Sequence, residues 1–171
     1  MNLMQYYNIK SFSTGRTPSM KTGLIAGSFD LVHPGYIRAL QEARQYCDDL
    51  IVALHVDPSI ERVTKNSPVN TVEDRAEVLM SNRYINGLIV YETEKDLHEI
   101  LEHIVKPQVY FVGADHKNDE FTGKDLQINV IFLMRNHNYS ASALRKKIFE
   151  VEENKQRITD INKITPYDDN N

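Results

Sequence analysis

The sequence predicts an α/β protein, a single domain built on a Rossmann-like, doubly wound sheet of five parallel strands. Two observations predict it. Short continuous apolar runs alternate with segments of helical period, and the runs lack the in–out alternation of a sheet with one wet face. A third observation predicts where a ligand sits: glycines, hydroxyls, histidines and an arginine follow the first, fourth and fifth runs. In open parallel sheets ligands bind beyond the carboxyl ends of the strands.

The elements follow in order. Residues 1–21 mix Tyr6, Tyr7 and Phe12 with Ser, Thr, Gly and Pro and show no period, so they read as an N-terminal extension that is either mobile or packed on the domain or a partner. Residues 22–150 form the domain. Thr22-Gly-Leu-Ile-Ala, ending at Gly27, is the first strand. Pro34 suits the first turn of a helix, where its missing N–H is not needed, and Tyr36, Leu40, Ala43 and Cys47 recur at helical spacing. Leu50-Ile-Val-Ala-Leu-His-Val is a second buried strand. Thr71-Val-Glu-Asp has the form of a capping box and opens a helix to about Asn82. Gly87-Leu-Ile-Val-Tyr is a strand, and Leu97, Ile100, Leu101 and Ile104 mark a helix stopped by Pro107. Val109-Tyr-Phe-Val and Val130-Ile-Phe-Leu are the last strands. A final helix begins near Ser140 and carries Leu144, Ile148 and Val151, leaving 151–171 as a polar tail.

Bulk properties narrow the function. The net charge of −4 argues against nucleic acid as partner, which wants a basic face. No apolar run approaches the roughly 20 residues of a membrane helix, and the N-terminus lacks a signal-peptide core, so a cytoplasmic protein without membrane contact is expected. The single cysteine, Cys47, allows no internal disulfide and lies on an apolar helical stripe, where it fills core. His55, His98, His103, His116 and His137 show no HExxH-like spacing, and none is assigned as a permanent metal ligand.

The first loop, Gly27-Ser-Phe-Asp-Leu-Val-His-Pro-Gly-Tyr, carries the strongest chemistry. Gly27 lets backbone approach a ligand, and His33 stands where a helix starts, with amides and dipole that attract anions. Ser140 repeats the arrangement at the last helix. The plainer readings are a strand-to-helix turn with Asp30 bonding its own backbone, a surface histidine and an ordinary helix cap.

This loop resembles the G-x-F-D-x-x-H-x-G-H signature of the cytidylyltransferase-like nucleotidyltransferases. Val72-Glu-Asp-Arg resembles the family's helix start with an arginine, and Arg83-Tyr-Ile-Asn-Gly resembles its R-Y-V-D-x segment. Val112-Gly-Ala-Asp resembles its G-x-D strand end, and Arg135-Asn-His-Asn-Tyr-Ser-Ala-Ser its closing R-T-x-G-I-S-T-T motif. The resemblance runs from about Thr22 to Phe149 in family order. It implies a homodimeric enzyme using CTP and Mg2+, transferring CMP to a phosphorylated small molecule such as glycerol 3-phosphate and releasing pyrophosphate. By position it implies catalytic roles for His33, Tyr36, Lys65 (or Arg62 in the same loop) and Arg135. Gly27, Ser28, Phe29, Arg83, Asp115, Ser140 and Ser142 would bind nucleotide, with no protein metal ligand.

Three positions depart from the pattern: Tyr36 replaces a histidine, Asn86 an aspartate and Ala141 a threonine. A phenol donates a hydrogen bond but brings no positive charge. Pro68-Val-Asn-Thr-Val-Glu-Asp-Arg resembles a segment of the adenylyltransferases that make ADP-heptose, which makes ATP the alternative nucleotide. A nucleotide-binding protein without catalysis is a further alternative. A dinucleotide oxidoreductase is set aside, because the second glycine of G-x-G-x-x-G is missing.

Overall fold

The computed structural model describes residues 6–7, 20–134 and 136–164. The chain divides into two compact units, 1–138 and 139–171.

The first unit holds β1 (Tyr6–Tyr7), β2 (Thr22–Gly27), α1 (Pro34–Ala43), β3 (Asp49–His55), α2 (Val72–Met80), β4 (Gly87–Tyr91), α3 (Glu94–Glu99), β5 (Val109–Gly113) and β6 (Asn129–Leu133). The sheet order is β1-β4-β3-β2-β5-β6. Strands β2 to β6 are parallel, as the apolar runs predict. The described part of the N-terminal extension packs on the domain: Tyr6–Tyr7 adds an antiparallel edge to β4. Strand β2 pairs with β3 on one side and β5 on the other, so the chain reverses direction across the sheet there.

The strands are buried on both faces, which explains why they read as unbroken apolar runs. Leu50, Val52 and Leu54 of β3 join a cluster with Leu40, Ala43 and Cys47 beside α1 and Ala76 and Leu79 of α2. Ile51 and Ala53 of the same strand face the opposite cluster, with Leu97, Ile100 and Leu101. Helix α3 continues as a π-helical turn, Ile100–Ile104, which carries Leu101 into that core. Cys47 is buried core, as expected. Asn86, the aspartate replacement, does ladder work: its side-chain oxygen accepts from Leu50 N at 3.0 Å and its own N–H bonds Leu50 O at 2.9 Å.

The carboxyl ends of β2 and β3 are tied together by Arg75 of α2, which is 2% exposed. Its guanidinium donates to Ser28 O at 2.7 Å, His55 O at 2.8 Å and Val56 O at 2.7 Å, and its Nε to Asn70 O and Thr71 O at 3.2 Å. Burial pushes the Arg75 pKa down from its ordinary value, and the charge of Asp30 acts to raise it. Asp30 reaches beyond the local turn of the plainer sequence reading. Its carboxylate accepts from Val69 N at 3.0 Å and Asn70 N at 3.1 Å, pinning the loop that leads into α2. The expected cap at Thr71 is present, accepting from Asp74 N at 3.1 Å.

The second unit contains α4 (Ala141–Ile164), capped by Ser140 Oγ, which accepts from Ala143 N at 3.0 Å. The sequence expects this helix to fade near Val151, but it continues to Ile164 through the segment read as a polar tail. The apolar period stops at Val151, while i,i+4 partners carry on: Glu153 with Arg157 at 2.8 Å and Gln156 with Asp160 at 3.1 Å. Among the described residues no helix is long and apolar enough to cross a membrane.

Replacing Arg75 by Met leaves the carbonyls of Ser28, His55 and Val56 without their buried donor and Asp30 without its neighbouring charge. The expected loss of stability is about 3–5 kcal/mol, the cost typical of breaking a buried charged network. Urea unfolding of parent and variant measures it.

Candidate active site

A cavity of about 680 Å³ lies where the strands end, lined from β2, β3, β4, β5 and β6 and the loops that follow them. The loop after β2 supplies one wall. Phe29 and Leu31 have left-handed backbone, with φ of 46° and 49°. Such torsions are unfavourable for side chains with a Cβ. Burial of Phe29, 2% exposed, holds this turn in place. The turn delivers His33 to the position just before α1, with Pro34 as the first helical residue. His33 is 8% exposed. Its ring stacks on Tyr36, centroids 4.3 Å apart at 18°, and Tyr36 also leans on Phe29 at 5.2 Å. Tyr36 therefore fixes the His33 ring from one side.

Gly35 allows this crowding. A Cβ there would stand 2.5 Å from His137 Cε1 and 3.0 Å from His33 Cε1. The glycine of the signature is thus a close-approach position for two imidazoles.

The loop after β3 supplies another wall. Asp57 orders it by accepting from Ser59 Oγ and Ser67 Oγ, each at 2.7 Å. These hydroxyls hold the Asp57 carboxyl below the ordinary carboxylate range. The loop presents Arg62 and Lys65 to the cavity. Across from them stand Glu94 at the start of α3 and Thr122, whose hydroxyl donates to Glu94. Arg62 pairs with Glu94. His55, 1% exposed, packs edge-on against Tyr91 with centroids 4.5 Å apart. Burial lowers the His55 pKa, outweighing the upward pull of Glu94 and Glu61. Burial and Glu94 raise the Tyr91 and Tyr110 phenols, which stay protonated.

Of the residues singled out in the sequence, Gly27, Ser28, Phe29, His33, Tyr36, Lys65 and Asp115 line this one cavity. Arg62 also lines it. Arg83 does not. It sits in the turn before β4, exposed, over the Tyr84 ring at 5.1 Å, toward the amino end of that strand. Ser140 and Ser142 belong to the second unit, where Ser140 caps α4 and Ser142 is exposed. Arg135 lies outside the described residues. Glu120, Phe121 and Thr122, between β5 and β6, also line the cavity. Sequence reasoning passed over His55, Tyr91 and Glu94. Their position at or just after the carboxyl ends of apolar strands was the available signal.

The sequence profile described as "Cytidylyltransferase-like" matches residues 24–147. The chain is 31% identical over 139 residues to the bifunctional protein HldE of Hyphomonas neptunium, covering 77% of this chain and 28% of that protein. It is 35% identical over 112 residues to the bifunctional protein HldE of Gluconacetobacter diazotrophicus, covering 65% and 23%. The chain thus spans about a quarter of the length of these curated relatives. The crystal structure of the lipopolysaccharide core biosynthesis protein of Thermoplasma volcanium superposes with a TM-score of 0.54 at 23% identity, over 71% of this chain and 99% of the other.

Two outcomes are expected from this geometry. Gly35→Ala displaces the His137 and His33 rings and weakens nucleotide binding by on the order of tenfold or more, corresponding to about 1.4 kcal/mol, as read by calorimetric titration with ATP. In a histidine NMR titration, His55 titrates below the ordinary value of about 6.5. His98, hydrogen-bonded to Asp125 at 3.0 Å, titrates above it. The His55 contribution to stability is then full above about pH 6.5 and declines as pH falls through the lowered folded-state pKa. The His98 contribution has the opposite sign and is lost as pH rises through its raised value.

Proposed function

We propose that this chain, which belongs to the cytidylyltransferase-like family and is a nucleotidyltransferase, moves AMP from ATP to a phosphorylated sugar, as an adenylyltransferase of the ADP-heptose-forming type. The observation that carries the reading is the wall after β2. There the Gly27–Ser28 backbone and the His33 ring at the start of α1 face the same cavity as Lys65. Three anion-seeking groups from two loops converge there, as a triphosphate requires. The choice of ATP over CTP rests on the HldE relatives and on Pro68–Arg75, the segment that resembles the ADP-heptose-forming group.

The reaction is an in-line displacement. A phosphate oxygen of the acceptor attacks the α-phosphorus, the bond to the bridging oxygen breaks, and pyrophosphate leaves with the electron pair. The acceptor is already an anion at neutral pH, so no protein nucleophile is needed. Magnesium brought with the nucleotide would supply further neutralisation of phosphate charge. The protein positions two anions and stabilises charge that builds on the leaving group. His33, held by Tyr36, and Lys65 supply that stabilisation, and Arg135 joins them by family position. Tyr36 in place of a histidine removes one charge from this set and adds an aromatic brace for His33.

A pyrophosphate-release screen tests the reading. ATP with heptose or hexose phosphates is expected to turn over faster than CTP with glycerol 3-phosphate. The reverse ranking restores the cytidylyl reading, and tight binding without release from any pair overturns transfer altogether. In the active pair, His33→Ala is expected to lower turnover on the order of a hundredfold to a thousandfold, with an unchanged thermal melt.

A further inference from the structure

Beside the phosphate-facing wall, three separate segments bring together three ligating side chains. His55 ends β3, Glu61 lies in the next loop and Glu94 opens α3. His55 Nε2 stands 3.8 Å from Glu61 Oε2 and 3.9 Å from Glu94 Oε1. One ligating atom from each residue falls within 4.8 Å of the other two. These separations are too long for hydrogen bonds. His55 is 1% exposed, and neither of its ring nitrogens has a hydrogen-bond partner among the described residues. A buried imidazole turned toward two carboxylates without bonding either is set up for a third party.

We propose that His55, Glu61 and Glu94 form a binding site for a divalent first-row transition metal ion, of the Zn2+, Co2+ or Mn2+ type, separate from the magnesium that accompanies the nucleotide. One imidazole nitrogen with two carboxylates is a mixed donor set that suits these ions, whereas Ca2+ and Mg2+ favour all-oxygen sites. Bonds of about 2.0–2.2 Å place neighbouring ligand atoms roughly 3.0–3.6 Å apart. The His55 ring nitrogen, 3.8 and 3.9 Å from the two carboxylates, therefore needs to close on each by less than about an ångström, while the two carboxylates, within 4.8 Å of each other, close by somewhat more. Glu61 and Glu94, 33% and 30% exposed, have room to make that move, while His55 is fixed by its burial.

Both carboxylates are already oriented from behind. Glu61 Oε2 accepts from the Glu94 backbone N–H at 2.8 Å, and the Thr122 hydroxyl donates to Glu94. Outer contacts of this kind aim metal ligands. Arg62 is the built-in competitor. Its guanidinium pairs with Glu94, and at 40% exposure it can turn out toward solvent when a metal takes its place. Glu94 lies 33 residues beyond Glu61, which is why no local sequence spacing announces the full set and why His55 was passed over as a ligand. The site faces the cavity, so the remaining coordination positions are open to water or to an oxygen of a bound substrate.

The test uses the full chain without nucleotide or acceptor, so it does not depend on which reaction the enzyme performs. Co2+ is titrated and followed by its visible absorption and by calorimetry. Saturable binding of one equivalent is expected. Glu61→Gln and His55→Leu are each expected to weaken it at least tenfold. Glu61 is partly exposed, so the first variant keeps the fold even if the second does not, as thermal melts report. Arg62→Ala is expected to tighten binding by removing the competitor. Absence of saturable Co2+ binding in the parent and in Arg62→Ala overturns the proposal. Unchanged affinity in Glu61→Gln overturns it as well, and binding to Arg62→Ala no tighter than to the parent removes Glu94 from the site.

Discussion

The site depends on one buried cation. Arg75 reaches from α2 under the ends of two neighbouring parallel strands and donates to the carbonyls of Ser28, His55 and Val56. Those carbonyls lie just beyond the last residues paired between β2 and β3, Gly27 and Leu54, so that pairing does not satisfy them. A planar fork with five N–H donors meets several carbonyls at once, which a lysine ammonium on a flexible stem does not. Dehydrating a guanidinium is costly, and the carbonyls and the charge of Asp30 offset that cost. Asp30 in turn fixes the backbone of Val69 and Asn70, so the loop before α2 is held at both ends of one network.

That network explains how a strained loop is tolerated. Phe29 and Leu31 both adopt left-handed torsions between β2 and α1. Each costs of the order of 1 kcal/mol or more in isolation. Burial of the Phe29 ring and the Arg75 bond to Ser28 hold the flanks, and the chain emerges with His33 at the head of α1. Tyr36, one turn on, can then stack on His33, because helix neighbours three apart share a face. The phenol at this signature position is integrated in packing and is not a neutral gap in the motif.

The sheet was legible in the sequence for a plain reason. Parallel strands covered on both faces need apolar side chains at every position, so Leu50 to Leu54 or Leu88 to Tyr91 stand out without any partner being known. The site was legible only where its residues sit in one loop. Gly27 to Tyr36 carry spacing, so His33 and Gly35 were readable, whereas the partners of Asp30 lie about forty residues away in the loop before α2. A local turn was the expectation for Asp30, and long-range packing gives it the backbone of Val69 and Asn70 as partners. His55 was hidden because it continues an apolar strand pattern, and Glu94 because a glutamate at a helix start is ordinary. The extent of α4 was missed for the opposite reason, since charge pairing sustains a helix after its apolar period has ended.

The cavity that results has two chemically different sides. Backbone from Gly27 and Ser28, His33 and Lys65 favour anions, while Glu94 beside His55 repels them. Two unit charges about 4 Å apart interact by about 4 kcal/mol at an effective dielectric of 20. A phosphate placed against the acidic side therefore pays a penalty larger than a tenfold change in affinity. A ligand with a phosphate at one end and neutral or cation-binding groups at the other has a single favourable direction in such a cavity. Arg62 is paired with Glu94 and lines the same cavity as Lys65. Whatever neutralises Glu94 in its stead frees that guanidinium to turn toward solvent, so the charge on the acidic side and the position of Arg62 are coupled through one ion pair.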